Sequence, residues 1–225
     1  MPGHLFVVAT PIGNLQDVSM RAREVLTSVD GILCEDTRVT AKLIASFELQ
    51  KPLISYHQHS TEQRTQDILA SLRGGKNFAL VTDAGTPGIS DPGGKLVEAV
   101  VHAFGSEAII SPIPGPNAAV AALSISGFPT DAFLFLGFPP HKKGRQGYFT
   151  RVAECEDTVV FYESTHRILK TLDQLGALIG DRPVVVGREL TKMHETIYRG
   201  TIPEVTKALN SSSIKGEFVI VVRAK

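Results

Sequence analysis

Short apolar runs alternate along the chain with longer segments in which apolar residues recur at helical spacing. Apolar runs of about four to eight residues that end at Gly, Pro or Asp are typical of buried strands, and apolar positions three and four residues apart are typical of helices. In the first half, this pattern predicts strands at 4–9, 31–35, 77–83 and 108–115, and helices at 19–29, 39–47, 61–75 and 94–105.

The second half begins the same alternation again after the Pro- and Gly-rich segment at 112–117. It predicts strands at 132–138, 157–164, 183–190, 195–200 and 217–224, helices at 117–126, 166–180 and 201–210, and a loop at 141–151. Alternating strands and helices fold into sheets with helices on their faces. We therefore expect an α/β protein made of two α/β domains, residues 1–115 and 116–225.

Four turn-rich segments follow the strands of the first domain. Ligands of open α/β sheets bind at the carboxyl ends of the strands, which indicates a site formed by residues 10–17, 35–38, 83–94 and 112–117. The segment at 81–95, VTDAGTPGISDPGGK, holds four glycines and two prolines. Because glycine allows close backbone approach and proline fixes φ, it suits a nucleoside-like ligand. A tight strand-to-helix turn without a ligand is the alternative.

The common phosphate and metal motifs do not fit these loops. A P-loop needs a hydroxyl residue after Lys95, where Leu96 stands, and a dinucleotide fingerprint needs three glycines in the first turn, which holds only Gly13. His57 and His59 could form a metal pair, but no Cys or carboxylate cluster supports one. We expect no metal site.

Composition is that of an ordinary globular protein, with 43% hydrophobic residues and zero net charge among 225 residues. Neither a signal peptide nor a membrane-spanning run is predicted. Two cysteines are too few for a disulfide framework, which favours a reducing cytoplasm. Residues 1–140 carry nine basic against thirteen acidic residues, and residues 141–225 carry fourteen against ten. The segment at 141–151 has four basic residues and no acid, which indicates either a nucleic-acid face or a solvated surface.

Six segments occur in order along nearly the whole chain: VATPIGNLQDVSMRA, EDTR, LVTDAGTPGISDPG, PIPGPNAA, FYESTHR and GRELTKMHET. Together they closely resemble the ribosomal small subunit methyltransferase I family, the (cytidine-2′-O)-methyltransferases of 16S rRNA, within the tetrapyrrole methylase superfamily. The resemblance implies two α/β domains with S-adenosyl-L-methionine (SAM) in the active-site cleft between them, usually in a homodimer. It implies methylation of the ribose 2′-OH of a decoding-centre cytidine in small-subunit rRNA, within an assembled 30S subunit in the cytoplasm.

The resemblance also assigns residues to the cofactor. Thr86 stands where the precorrin enzymes carry aspartate, which favours an RNA substrate over a tetrapyrrole. Many family members continue past the last strand into a helical extension, whereas this chain ends at Lys225. If that extension grips rRNA, we expect poor methylation without it. The residues assigned to the cofactor are Pro11, Ala84, Gly85, Thr86, Ile89, Asn117, Ala118, Glu163 and Leu190.

A ribose hydroxyl is a poor nucleophile, so a base within hydrogen-bond reach would assist methyl transfer. Glu163, Glu189 and Glu195 lie in second-domain motifs that face the proposed cleft, and we expect Glu163 to be the base or an orienting group. Arg188 and Lys192 would hold a substrate phosphate or orient these carboxylates. The alternative is a network of Arg188, Glu189 and Lys192 that only fixes its loop.

The basic segment is expected to contact the rRNA backbone through Lys142, Lys143, Arg145 and Arg151. Arg38 either faces the substrate or pairs with a neighbouring carboxylate. Phe161 and Tyr162 alternate along one strand, so one is expected in the core and the other beside the cofactor. The competing functions are a small-molecule tetrapyrrole methylase, a non-enzymatic ribosome-assembly factor and a nucleotide-dependent oxidoreductase or NTPase.

Overall fold

The computed structural model describes residues 1–212 and 214–225. The chain divides into two compact units, Met1–Asn117 and Ala118–Lys225. This division lies two residues after the boundary expected from the sequence.

Unit 1 is built around a five-stranded sheet in the order β3-β2-β4-β1-β5, with every pair of neighbouring strands parallel. Two separate apolar clusters cover its two faces, one packed under α1 and α2 and the other under α3 and α4. Parallel sheets need cover on both faces, which explains why all four residues of β2 are buried. The elements are β1 His4–Val8, α1 Met20–Ser28, β2 Gly31–Cys34, α2 Thr37–Ala45, β3 Leu53–Ser55, α3 Glu62–Arg73, β4 Phe78–Leu80, α4 Gly94–Phe104 and β5 Ile109–Ile113.

Unit 2 also holds a five-stranded sheet, in the order β6-β7-β10-β8-β9. The β6–β7 pair is parallel and the other three pairs are antiparallel. One apolar cluster packs α6, α7 and α8 against the sheet, with Phe161 and Phe218 fully buried. The elements are α5 Ala118–Ser124, β6 Phe133–Phe135, α6 Arg145–Glu154, β7 Thr158–Ser164, α7 Ile168–Ile179, β8 Val184–Arg188, β9 Thr196–Gly200, α8 Ile202–Asn210 and β10 Glu217–Val222.

The expected α/β class is confirmed, with two five-stranded sheets. Two elements differ from those predicted from the sequence. Strand β3 was not predicted, because its three residues follow a proline and form too short an apolar run. The segment at 141–151 was predicted as a loop, but it becomes helix α6 from Arg145 onward, after Gly144 with a left-handed φ of 84°. Phe149 and Val152 bury the inner face of that helix.

Helix ends in unit 1 follow the sequence signals closely. The Ser19 hydroxyl accepts a hydrogen bond from the Ala22 N–H at 3.0 Å, as expected of an N-cap. Helix α3 ends at Arg73, and Gly74 is its C-cap. Among the helices of the described residues, none is both long enough and apolar enough to cross a membrane.

Candidate functional site

The loops that follow β1, β4 and β5 are joined at the carboxyl edge of the unit 1 sheet. Thr10 and Gly85 form a two-bond bridge, with N···O distances of 2.9 and 3.1 Å. The Thr10 hydroxyl donates to the Thr82 carbonyl at 3.1 Å. The Thr86 hydroxyl donates to the Pro116 carbonyl at 3.2 Å, which ties the β4 loop to the segment after β5.

Glycine is required at the centre of this arrangement. Gly85 has a φ of 86°, in the region that favours glycine. A Cβ on Gly85 would lie 3.5 Å from Ile12 Cγ2, which is ordinary contact, so the requirement comes from the backbone conformation. We call the joined residues Thr10, Pro11, residues 84–89 and Pro116 the glycine wall. Pro11 and Gly85 are buried in it, while Ala84 and Ile89 are exposed.

Several carboxylates lie at the same edge of the unit 1 sheet. Burial raises the pKa of Asp91 to about 6, assisted by the Glu35 carboxylate. Burial also raises the pKa values of Glu35 and Asp83, and these two carboxylates repel each other. Hydrogen bonds from Arg38 hold the pKa of Asp36 at about 2. The edge therefore carries negative charge that a cationic ligand would stabilise.

Arg38 pairs with Asp36, one of the two alternatives that the sequence left open. Its Nη2 lies 2.6 Å from Asp36 Oδ2, although the Arg38 side chain is 86% exposed. Both residues line a depression of about 490 Å³ together with His57 and His59. Within residues 1–212 and 214–225, no cluster of His, Cys, Asp or Glu is arranged to hold a metal ion.

Glu163 does not occupy the position expected of a base or a cofactor contact. Its side chain is 0% exposed. It shares the face of β7 that Val159 and Phe161 bury in the unit 2 core. Tyr162 points to the opposite face, where its hydroxyl accepts the Ala119 N–H at 3.3 Å. Strand alternation places Glu163 with Phe161, so we withdraw it from both assignments.

The carboxylate of Glu163 is instead surrounded by unit 2 side chains. Its Oε1 lies 2.8 Å from Arg167 Nε and accepts the Ser164 N–H at 2.7 Å. Its Oε2 accepts the Thr171 hydroxyl at 2.6 Å and lies 3.7 Å from Arg145 Nη2. The sequence reasoning missed Arg167 and Thr171, although their spacing of four and eight residues from Glu163 places them next to the strand end.

The charged residues of the loop after β8 make their contacts within unit 2. Arg188 is buried and donates to the Lys215 and His194 carbonyls, at 2.7 and 3.2 Å. Lys192 Nζ lies 3.1 Å from Glu189 Oε1. The Glu195 carboxylate is exposed and accepts the Thr191 N–H at 2.6 Å.

Two residues of this loop have unusual backbone conformations. Glu189 and Thr191 have φ values of 51° and 66°. Such conformations are costly for residues other than glycine and cluster at functional sites. Leu190, between them, is buried, and its side chain packs on Gly187, where a Cβ would approach to 2.9 Å.

Three of the four cations predicted in the basic segment are exposed: Lys142, Lys143 and Arg151. Arg145 is not, because its guanidinium is buried and donates to Gln174, Pro140 and Thr171 within 3.1 Å. A buried and fully engaged guanidinium cannot reach a phosphate, so Arg145 is removed from the predicted RNA contacts.

The sequence profile of the tetrapyrrole (corrin/porphyrin) methylases matches residues 4–206. The fold agrees with this match, since diphthine synthase superposes with a TM-score of 0.74 over 99% of this chain and 90% of that chain, at 14% identity. Fold and sequence together define a domain of the tetrapyrrole methylase class.

Two curated relatives indicate to which family within this class the chain belongs. The chain is 48% identical over 222 residues to a protein of Synechocystis sp., covering 98% of this chain and 78% of the relative. It is 41% identical over 223 residues to a protein of Thermotoga maritima, covering 99% of both. Both relatives are named ribosomal RNA small subunit methyltransferase I. The chain therefore belongs to the ribosomal RNA small subunit methyltransferase I family.

Proposed function

We propose that this protein is a SAM-dependent methyltransferase that methylates the ribose 2′-OH of a decoding-centre cytidine in small-subunit rRNA. The proposal rests on the 48% identity, over 98% of the chain, to a relative named ribosomal RNA small subunit methyltransferase I. The competing oxidoreductase and NTPase functions lack their fingerprints in the sequence. The resemblance disfavours a tetrapyrrole substrate, because Thr86 stands where the precorrin enzymes carry aspartate.

The glycine wall has the chemistry that SAM binding requires. Its backbone groups and the apolar Ile89 suit a nucleoside, and the carboxylates at Asp83 and Asp91 suit the positive charges of SAM. Bound SAM would supply an activated methyl group on its sulfonium. On unit 1, Pro11, Ala84, Gly85, Thr86 and Asn117 would hold it. On unit 2, we assign Ala118 and Leu190 to the same role.

The protein's own contribution to methyl transfer is to orient the ribose hydroxyl and to remove its proton. Of the three carboxylates considered as the base, Glu163 is enclosed in the core and Glu189 is held by Lys192. Glu195 is exposed, and one of its oxygens accepts the Thr191 N–H. We therefore propose Glu195 as the base. Glu195→Gln should lower kcat with little change in SAM affinity, and an unchanged kcat would exclude this role.

We assign the exposed cations Lys142, Lys143 and Arg151 to the rRNA backbone. Such contacts release counterions, so RNA affinity should fall steeply with salt. Lys142→Glu combined with Lys143→Glu should reduce this salt dependence and weaken RNA binding. The assembled 30S subunit as substrate, the homodimer and the cytoplasmic location are further parts of the proposal.

One experiment tests the proposed function directly. The protein is incubated with methyl-labelled SAM and, separately, with naked small-subunit rRNA, assembled small subunits and a porphyrinoid. Label in 2′-O-methylcytidine of the RNA is the expected result. Label in the porphyrinoid would support the tetrapyrrole alternative. The absence of SAM binding by calorimetry would exclude both methyltransferase functions and leave the RNA-binding assembly factor.

A further inference from the structure

The connection that carries the two lysines of the basic segment is held by two arginines, the buried Arg145 and the partly buried Arg167. Residues 136–144 connect β6 to α6, and Lys142 and Lys143 are exposed in this connection. The Pro139 carbonyl accepts Arg167 Nη1 at 2.9 Å. The Pro140 carbonyl accepts Arg145 Nη1 at 3.1 Å. Pro139 and Pro140, which precede the two lysines by two to four residues, are therefore each fixed by a charged donor from a different part of unit 2.

Both guanidiniums converge on the Glu163 carboxylate. Arg167 Nε lies 2.8 Å from Oε1, and Arg145 Nη2 lies 3.7 Å from Oε2. Thr171 bridges the second pair, since its hydroxyl donates to Oε2 and accepts from Arg145 Nη2, each at 2.6 Å. One carboxylate thus fixes the orientation of two donors, and these donors fix two adjacent carbonyls.

This arrangement is specific to the geometry of a guanidinium. Arg167 uses Nε for Glu163 and Nη1 for Pro139, so a lysine in its place could reach only one of them. The two prolines lack N–H groups and have restricted φ, so their carbonyls are the groups by which the backbone can be held. Among the described residues, Lys142 and Lys143 form no ion pair. Their position therefore depends on the backbone beneath them.

We propose that Glu163 is a positioning residue, which acts through Arg167 and Arg145 to present Lys142 and Lys143 to the RNA backbone. The inference rests on the proposed function, since it assigns the two lysines to RNA. It gives a functional reason for enclosing the Glu163 carboxylate and the Arg145 guanidinium in the core of unit 2, where an ion pair by itself adds little stability over apolar residues.

The test is a double-mutant cycle between Arg167→Lys and the pair Lys142→Ala/Lys143→Ala. Affinity for a fluorescent small-subunit rRNA fragment is measured by anisotropy, and steady-state methylation supplies KM and kcat. Arg167→Lys should weaken RNA binding and raise the KM for RNA about five- to tenfold, with kcat within about twofold. In the background that lacks both lysines, the same substitution should have no further effect, because nothing is left to position.

Controls separate this role from a purely structural one. Arg182→Lys is the matched control, because Arg182 also donates to a unit 2 carbonyl, that of Ala153, at 2.6 Å. It should leave RNA affinity unchanged. Thermal unfolding and SAM affinity of Arg167→Lys report whether unit 2 and the cofactor site are intact. Glu163→Gln is the second variant and should reproduce the loss of RNA affinity if it folds.

Two outcomes would overturn the inference. One is an unchanged RNA affinity in Arg167→Lys. The other is a loss that persists in full without Lys142 and Lys143, or that appears in kcat or SAM affinity instead. If the proposed function itself is wrong, the result is different, because the unmodified protein would then fail to methylate or bind the RNA.

Discussion

Replacing Gly85 by alanine tests whether the glycine wall is a cofactor site. Gly85 has a φ of 86°, and its N–H and carbonyl both bond to Thr10. An added Cβ would meet Ile12 at 3.5 Å, so crowding contributes little. The cost therefore comes from a left-handed backbone in an L-residue, which is about 1–2 kcal/mol.

This free energy can appear in two measurements. If the wall keeps its conformation, the free energy of unfolding falls by about 1–2 kcal/mol. If the wall relaxes instead, unfolding changes little, but SAM must restore the original conformation, and its affinity falls about 5- to 30-fold. The two losses should add up to about 1–2 kcal/mol. Urea unfolding measures the first, and calorimetry with SAM measures the second.

Gly75→Ala is the matched control, because Gly75 has a φ of 85° and lies between α3 and β4, at the opposite edge of the same sheet. It should lose stability by a similar amount and keep its full SAM affinity. We expect Gly85→Ala to differ from it in SAM binding. The assignment of Gly85 to the cofactor is refuted if Gly85→Ala keeps its full SAM affinity while its free energy of unfolding falls clearly less than that of Gly75→Ala, because the cost would then appear in neither measurement.

Three further predictions concern the loop after β4 in unit 1 and the loop after β8 in unit 2. Thr86→Val should cost about 1 kcal/mol in urea unfolding, because it leaves the Pro116 carbonyl without the Thr86 hydroxyl; an unchanged stability would contradict a role in tying the loops. Asp91 has a folded pKa raised to about 6 by burial, so its contribution to stability is present below about pH 4 and is lost as the pH rises through about 6. Asp91→Asn should therefore remove this decline, as thermal unfolding between pH 4 and 7 would show. The contribution of Glu189 to stability changes with pH in the opposite direction. Burial opposes the charge of its carboxylate, but hydrogen bonds from the Glu217 N–H and from Lys192 lower its pKa. Its stabilisation should be lost as the pH falls from about 4.5 through the lowered pKa, so Glu189→Gln should be more destabilising at pH 7 than at acidic pH.

Much of the fold was predictable because apolar periodicity and caps are local signals. Ser19 and Gly74 mark helix ends in the sequence and do so in the structure. Helix α6 was missed because its buried face begins with Arg145, and an arginine at a core-facing position resembles a surface residue. The spacing of Arg145, Phe149 and Val152 was the available signal, since all three are buried on one face.

The site was less predictable, because roles transferred by resemblance ignore the direction of a side chain. Strand alternation already placed Phe161 and Tyr162 on opposite faces, and the same rule puts Glu163 with Phe161. The pairing of Glu163 with Arg167 is local, because the two residues are four positions apart, but Arg145 lies 18 residues before Glu163 in the sequence, and only the folded chain brings it to the carboxylate.

Charge placement explains why cofactor and RNA would be held by different parts of the chain. Residues 1–117 carry nine Lys and Arg against twelve Asp and Glu, and residues 118–225 carry fourteen against eleven. The carboxylates beside the glycine wall favour a cationic sulfonium and oppose phosphate. In the proposed function, the wall would therefore account for cofactor binding but not for the choice of an RNA substrate. That choice would depend on the exposed cations in unit 2, which we propose Glu163 positions through Arg167 and Arg145. RNA affinity and SAM affinity should thus be altered separately by substitution, the first at Arg167 and the second at Gly85.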